Sequence, residues 1–328
     1  MNWYGRSLAS ACLAVLAGLT LFSAQTQAQT YPTRAITMIV PFAAGGPTDV
    51  IARLVTGHMA QTLGQAIIIE NVVGAGGTTA TTRASKAAND GYTLITGHMG
   101  THAASVPLYP NLAYHPEKSF EPVALLAGTP ILILARKDFA PKDLKEFVAY
   151  VKANETKVNA AHAGVGSVSN VSCELLNSVL GVKPVGVPFN GTGPAMNALV
   201  AGQVDYMCDQ IVNAVPQING GTIKAYAVAT AERNPSLPDV PTTTEAGLPA
   251  FQAQAWNAIF APKGTPADVV AKLNAAAVKA LDDEGVRKRL ADLGSVVPAA
   301  ADRTPQALTA LVKSEIAKWT PVLKPAAN

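Results

Sequence analysis

Residues 36–59 read ITMIVPFAAGGPTDVIARLVTGHM, and this stretch decides the fold class. Ile36–Val40 is an apolar, largely β-branched run, the pattern of a strand buried on both faces. PFAAGGPTD then turns the chain, after which Val50, Ile51, Leu54, Val55 and Met59 recur at helical spacing. A buried strand, a Gly-rich turn and an amphipathic helix, in that order, open a parallel α/β sheet.

The unit repeats along the chain. Ala66–Glu70 (AIIIE) precedes NVVGAGGTTA, and Tyr92–Thr96 (YTLIT) precedes GHMGTHAAS. Val123–Leu126 and Ile131–Ala135 read as two further strands, and PKDLKEFVAYVKAN reads as a helix with Pro141 near its start. Val158–His162 leads into AGVGSVSN, VKPVGVPF into NGTGPA, and Val204–Cys208 into DQIVN; Lys224–Thr230 is one more strand. From Gly264 the character changes to two helices separated near Gly285 and a last one beginning near Thr304. Two α/β lobes are expected, with crossings near Gly128 and near Gly247–Phe251. That places lobe one at 29–128, lobe two at 129–250, and a helical return to the first lobe at 251–328.

The chain has 328 residues, 49% hydrophobic and 14% charged. This is long enough for two cores and too apolar for a disordered protein. A formal charge of +3, with no Lys/Arg run longer than Arg287–Arg289, argues against a dedicated nucleic-acid surface. The N-terminus carries Arg6, an apolar run from Leu8 to Phe22, and Thr26 and Ala28 as small residues before a cleavage point. It reads as an export leader, residues 1–28, cut after Ala28. The apolar run is about 15 residues, short of the roughly 20 a spanning helix needs. Cys12 falls in the leader, so Cys173 and Cys208 remain. In an oxidising compartment they are expected to form a disulfide, two separate buried thiols being the alternative.

In open parallel sheets, ligands sit beyond the carboxyl ends of the strands. Here the strand-end loops are rich in Gly, Ser, Thr and Asn and contain neither Lys nor Arg. An anion bound there must be held by backbone N–H groups and hydroxyls at helix starts. Asp49 reads as a first-turn stabiliser, and Asp209, just beyond a strand, as the functional acid in preference to Asp205. Nucleophile-elbow, HExxH, CxxC and phosphate-loop motifs are missing. His98 and His102 stand four apart without a third metal ligand, and His162 has no nucleophile beside it. No catalytic residue, metal or cofactor is expected. A secreted hydrolase and a ligand-sensing receptor for a signalling partner are two readings left open at this point.

YPTRAITMIVPFAAGGPTDVIAR, AAHAGVGSVSN, VPFNGTGPAMNALVAGQVDYMCDQ, LPDVPTTTEAGLP and WNAIFAPKGTP follow one another in order. This series resembles the Bug family, the periplasmic solute-binding receptors of tripartite tricarboxylate transporters, over essentially the whole mature chain. The resemblance implies a two-lobed, hinge-closing periplasmic-binding-protein (Venus flytrap) fold, each lobe a mostly parallel sheet flanked by helices. It implies a small carboxylate or related amide as ligand, a large and a small membrane subunit as partners, and a periplasmic location; a monomer is expected.

Carried onto this sequence, the resemblance places first-lobe contacts within Phe42–Asp49, at Phe42, Gly45, Gly46, Pro47 and Thr48, and around Gly100–His102, at Thr101 and His102. Second-lobe contacts fall within Gly164–Asn170, at Gly166, Ser167 and Asn170, and within Asn190–Gly193, at Asn190, Gly191 and Thr192. Asp209–Gln210 supplies Asp209. Asn170 departs from the His expected there in many members. Trp256, with Asn257 beside it, is expected to close the cleft from the hinge side.

Overall fold

The computed structural model describes residues 31–323, so the expected leader and its cleavage point lie outside the described residues. The body that begins at Arg34 opens as its sequence predicts. Strand β1 (Ile36–Val40) runs into helix α1 (Pro47–Leu63), β2 (Ile67–Asn71) precedes α2 (Thr78–Ser85), and β3 (Thr93–His98) ends the series. Ile36, Met38 and Val40 are fully buried because β1 lies between β2 and β3 with both faces covered. A π-helical turn at Gly100–Ala104 continues into α3 (Ser105–Leu108).

The second half repeats the alternation. After β4 (Phe120–Arg136) come α4 (Leu144–Ala153), β5 (Asn159–His162), α5 (Val168–Leu180), β6 (Val185–Pro188) and α6 (Thr192–Val200). Then follow β7 (Tyr206–Gln210), α7 (Ile211–Asn219), β8 (Ile223–Val228) and β9 (Gln254–Pro262). The chain closes with α8 (Ala267–Asp282), α9 (Glu284–Asp292) and α10 (Pro305–Leu323). Asp143 caps α4 by accepting from the Glu146 amide at 2.8 Å, a contact type that contributes about 1 kcal/mol.

Two sheets share one strand. The first has the order β2–β1–β3–β9–β4, and the second joins β4 to β7, β5 and β6, with β8 on the other side of β4. Strands that feed helix starts pair in parallel: β2–β1–β3 in one sheet, β6–β5–β7 in the other. The pairings of β9 and β4 are antiparallel, so each sheet is mixed around a parallel set.

The strands expected at Val123–Leu126 and Ile131–Ala135 are one 17-residue strand. Its first part lies against β9, from Phe120 opposite Pro262 to Pro130 opposite Gln254. From Ile131 onward it lies between β7 and β8. The change of partner comes at Pro130, whose missing N–H suits the end of a ladder. Strand β9, buried from Ala255 to Pro262, was not legible as a strand because its apolar run lies next to the helical tail.

Candidate functional site

Four helices start at one place. Helix α1 begins after Gly46, α5 after Ser167, α6 after Gly191 and α7 after Gln210. Gly46, Pro47, Thr48, Ser167, Val168, Ser169, Thr192 and Gln210 from these starts line a small void of about 20 Å³. Phe42, Asp49, His98 and Ala163 complete the wall. Each helix start offers N–H groups without intrahelical partners and a partial positive charge, worth about 0.3–1 kcal/mol to a nearby anion. Neither Lys nor Arg lines the void, so no side-chain cation in the wall meets an anion there.

The polar side chains around the void are held by one another. The Thr48 hydroxyl donates to Asn257 Oδ1 at 3.2 Å, and Asn257 Nδ2 donates to Gln210 Oε1 at 2.9 Å. The Thr129 hydroxyl donates to the same Gln210 oxygen at 2.7 Å. With its oxygen engaged twice, the Gln210 amide keeps its N–H groups for the void. Ser167 Oγ caps α5 by accepting from the Asn170 amide at 3.2 Å, and Ser169 Oγ accepts from the Ala163 amide at 2.9 Å.

Asp49 braces the first loop. Its carboxylate accepts from the Gly45 amide at 3.0 Å, from Arg53 Nε at 2.9 Å and from Asn71 Nδ2 at 2.9 Å. Asn71 also donates to the Phe42 carbonyl at 2.9 Å. Burial opposes ionisation of Asp49, but the bonds from Arg53, Gly45 and Asn71 outweigh it and hold the carboxyl below its usual range. Asp209 is fully buried behind the wall. It accepts from the Gln210 amide at 2.8 Å and Asn213 Nδ2 at 2.7 Å, and the Thr192 side chain bonds it as well. Burial pushes its pKa up to about 7 against the pull of those three donors. Asp209 thus ties the starts of α6 and α7 together and stands outside the cavity lining.

Of the residues expected to touch a ligand, Phe42, Gly46, Pro47, Thr48, Ser167 and Thr192 lie in the wall. Gly45 is one residue away, its amide turned to Asp49. Thr101 and His102 sit beneath the wall instead. His102 stacks on Phe260 with ring centroids 3.9 Å apart, and its Nδ1 bonds the Thr101 hydroxyl at 3.0 Å. Gly97 makes that space, because a Cβ there would overlap the His102 ring. His98 takes the wall position; its ring stacks on Phe42 at 5.1 Å. The sequence signal for His98 was its place at the end of a buried strand just before a Gly-rich loop.

Asn190, Gly191 and Gly166 form the rim. The Ala43 amide donates to the Asn190 carbonyl at 3.0 Å, and the Tyr109 hydroxyl to the Val165 carbonyl at 2.6 Å. Asn170 Oδ1 accepts from the Gly166 amide at 3.0 Å, so this side chain shapes its own loop. Trp256 does not reach the void. Alternation along β9 turns Asn257 toward Gln210 and Thr48 and sends Trp256 to the opposite face, where its indole donates to Glu315 Oε2 at 3.3 Å.

The expected disulfide is not formed in the structure: Cys173 and Cys208 are free, buried thiols. The Cys208 amide donates to Cys173 Sγ at 3.1 Å, and burial pushes the Cys208 thiol well up. His162 Nδ1 accepts from the Gly164 amide at 3.1 Å, a turn-stabilising bond. Among the described residues, no three His, Cys, Asp or Glu side chains are disposed to hold a metal, and no helix is long and apolar enough to cross a membrane.

Comparison with known proteins adds the family. A family model described as the tripartite tricarboxylate transporter family receptor matches residues 51–327. A UPF0065 protein in the TAR-I ttuE-ttuC' intergenic region of Agrobacterium vitis is 44% identical over 315 residues, 96% of this chain and 91% of that protein. The structure of MatC from Rhodopseudomonas palustris with bound malate superimposes with a TM-score of 0.88 at 60% identity, covering 89% of this chain and 100% of that one. The periplasmic binding protein BugD gives a TM-score of 0.87 at 43% identity over 90% of this chain and 98% of its own. Strand-end loops without cations, four converging helix starts and a match along most of the chain agree: this protein belongs to the tripartite tricarboxylate transporter receptor family, whose members are solute-binding receptors.

Proposed function

We propose that this chain is a periplasmic receptor that captures a small dicarboxylate between its two sheets and presents the closed form to membrane subunits of a tripartite tricarboxylate transporter. The convergence of four helix starts on a cation-free void carries this reading. A compact acid is the ligand to test first, because the 60%-identical MatC was solved with malate. Lobe one at 29–128 and lobe two at 129–250 would close about the point where β4 passes between sheets, with 251–328 returning to the first. Export would remove residues 1–28 after Ala28, and the mature receptor would act as a monomer.

A thermal-shift panel of small mono- and dicarboxylates and their amides tests the reading. A ligand present at about 100 times its Kd stabilises the native state by about 2.7 kcal/mol, a clear rise in Tm. Malate is expected among the compounds that shift the transition. A panel in which no carboxylate does so overturns the proposal, and native mass spectrometry of the exported protein identifies the ligand it carries.

A further inference from the structure

The cavity wall contains one side chain whose hydrogen-bonding role is dictated by the backbone around it. His98 Nδ1 accepts from the Gly100 amide at 2.9 Å and from the Thr101 amide at 3.3 Å. An imidazole nitrogen that accepts carries no proton, so the proton of the neutral ring sits on Nε2. Burial drives the His98 pKa down to about 3, so the ring stays neutral at the pH of any periplasm. Phe42 covers one face of the ring, which lines the void. Among the described residues no hydrogen-bond partner is found for its Nε2, and the ring borders the void.

The other groups around the void sharpen what that N–H can meet. Helix starts and the Gln210 amide offer donors. The one carboxylate in the wall, Asp49, is occupied by Gly45, Arg53 and Asn71. A ligand ammonium set against His98 would meet an N–H and no acceptor, and the acceptors elsewhere in the wall apart from Asp49 are uncharged hydroxyls.

We infer that His98 is a specificity-determining residue, an uncharged, donor-only group that requires an oxygen acceptor on the ligand and rejects an amine at that position. This rests on the reading of the site as a carboxylate receptor. It adds that the ligand is a hydroxy, keto or simple dicarboxylate, and that amino acids of the same length are excluded.

Three measurements on the mature chain test it. Nitrogen-15 NMR of the imidazoles is expected to show His98 protonated at Nε2 and bare at Nδ1, with or without ligand; a proton on Nδ1 overturns the inference. Titration calorimetry with malate and with aspartate, which differ by a hydroxyl against an ammonium, is expected to favour malate at least tenfold. His98→Leu should lose at least tenfold in malate affinity and most of that preference, whereas His98→Gln, which keeps a side-chain N–H, should stay within about threefold of the wild type. Equal binding of the two acids by the wild type, or unchanged malate affinity in a folded His98→Leu protein, removes this role from His98 and leaves the receptor reading standing. A wild type that binds neither acid nor any other small carboxylate removes both.

Discussion

Asn257 Nδ2 donates to Gln210 Oε1 at 2.9 Å, joining the middle of β9 in the first sheet to the end of β7 in the second. Both side chains are buried, and Thr48 and Thr129 extend the bond into a four-residue chain. It runs beside β4 where that strand changes sheets. One set of hydrogen bonds therefore joins Thr48 and Gln210 of the cavity wall to both sheets.

Replacing Asn257 by Leu removes the middle of that chain and leaves the Thr48 hydroxyl without its acceptor. A buried polar group that loses its partner costs about 1–3 kcal/mol. We expect Asn257→Leu to lower stability in urea by that amount and to weaken ligand binding although Asn257 does not line the void. Urea titration and calorimetry check both; unchanged affinity would show that the chain does not position Gln210.

Asp209 gives a pH signature. Burial raises its pKa from 3.8 to about 7, so the native protein holds this proton more tightly than the unfolded chain does. Its favourable contribution is full below the unfolded value and is lost as pH rises through about 7. The stability of the wild type relative to Asp209→Asn should thus fall between pH 4 and 8, by at most about 4 kcal/mol. Denaturant curves of the two proteins at several pH values decide it, a pH-independent difference being the adverse result.

Gly76 lies at the rim with φ +60, and a Cβ there would collide with the Val165 carbonyl. Gly76→Ala should obstruct the approach of the loops after β2 and β5. We expect at least a tenfold loss of ligand affinity, with a larger radius of gyration than the wild type in saturating ligand. Small-angle scattering of both proteins makes the comparison.

Cys173 and Cys208 are buried and form no disulfide, although their side chains lie within hydrogen-bonding reach of each other. A thiol sealed from solvent reacts slowly, and burial also pushes the Cys208 pKa up. We expect no maleimide labelling of the native, leaderless protein made in a reducing cytosol, and two labels per chain once guanidinium unfolds it. Absence of label in guanidinium, restored by a reductant, would mean that the pair closes into a disulfide.

Much of the fold was legible because its signals are local. ITMIV, the turn after it and the helical spacing from Val50 to Met59 lie within one stretch of chain, and each recurrence of the unit can be read alone. The cation-free loops were legible for the same reason, and so was the requirement that dipoles hold an anion. The continuity of β4 was hidden by Gly128 and Pro130, which locally read as a break. β9 was hidden because nothing in WNAIFAP says that it lies between β3 and β4.

The sequence by itself determined the repeated strand–turn–helix unit, the family, and the stretches from which the site is drawn. The tertiary structure decided which side chains in those stretches serve the void: His98 and not His102, and Gln210 and not Asp209, in its wall, with Asn257 and not Trp256 bonded behind Gln210. In β7 and β9 the physical reason is that strand alternation makes neighbours point opposite ways, but only packing against a distant element says which of the two ways is the cleft. The Phe260 ring that receives His102 and the Glu315 carboxylate that receives Trp256 come from remote parts of the chain, and no local pattern announces them.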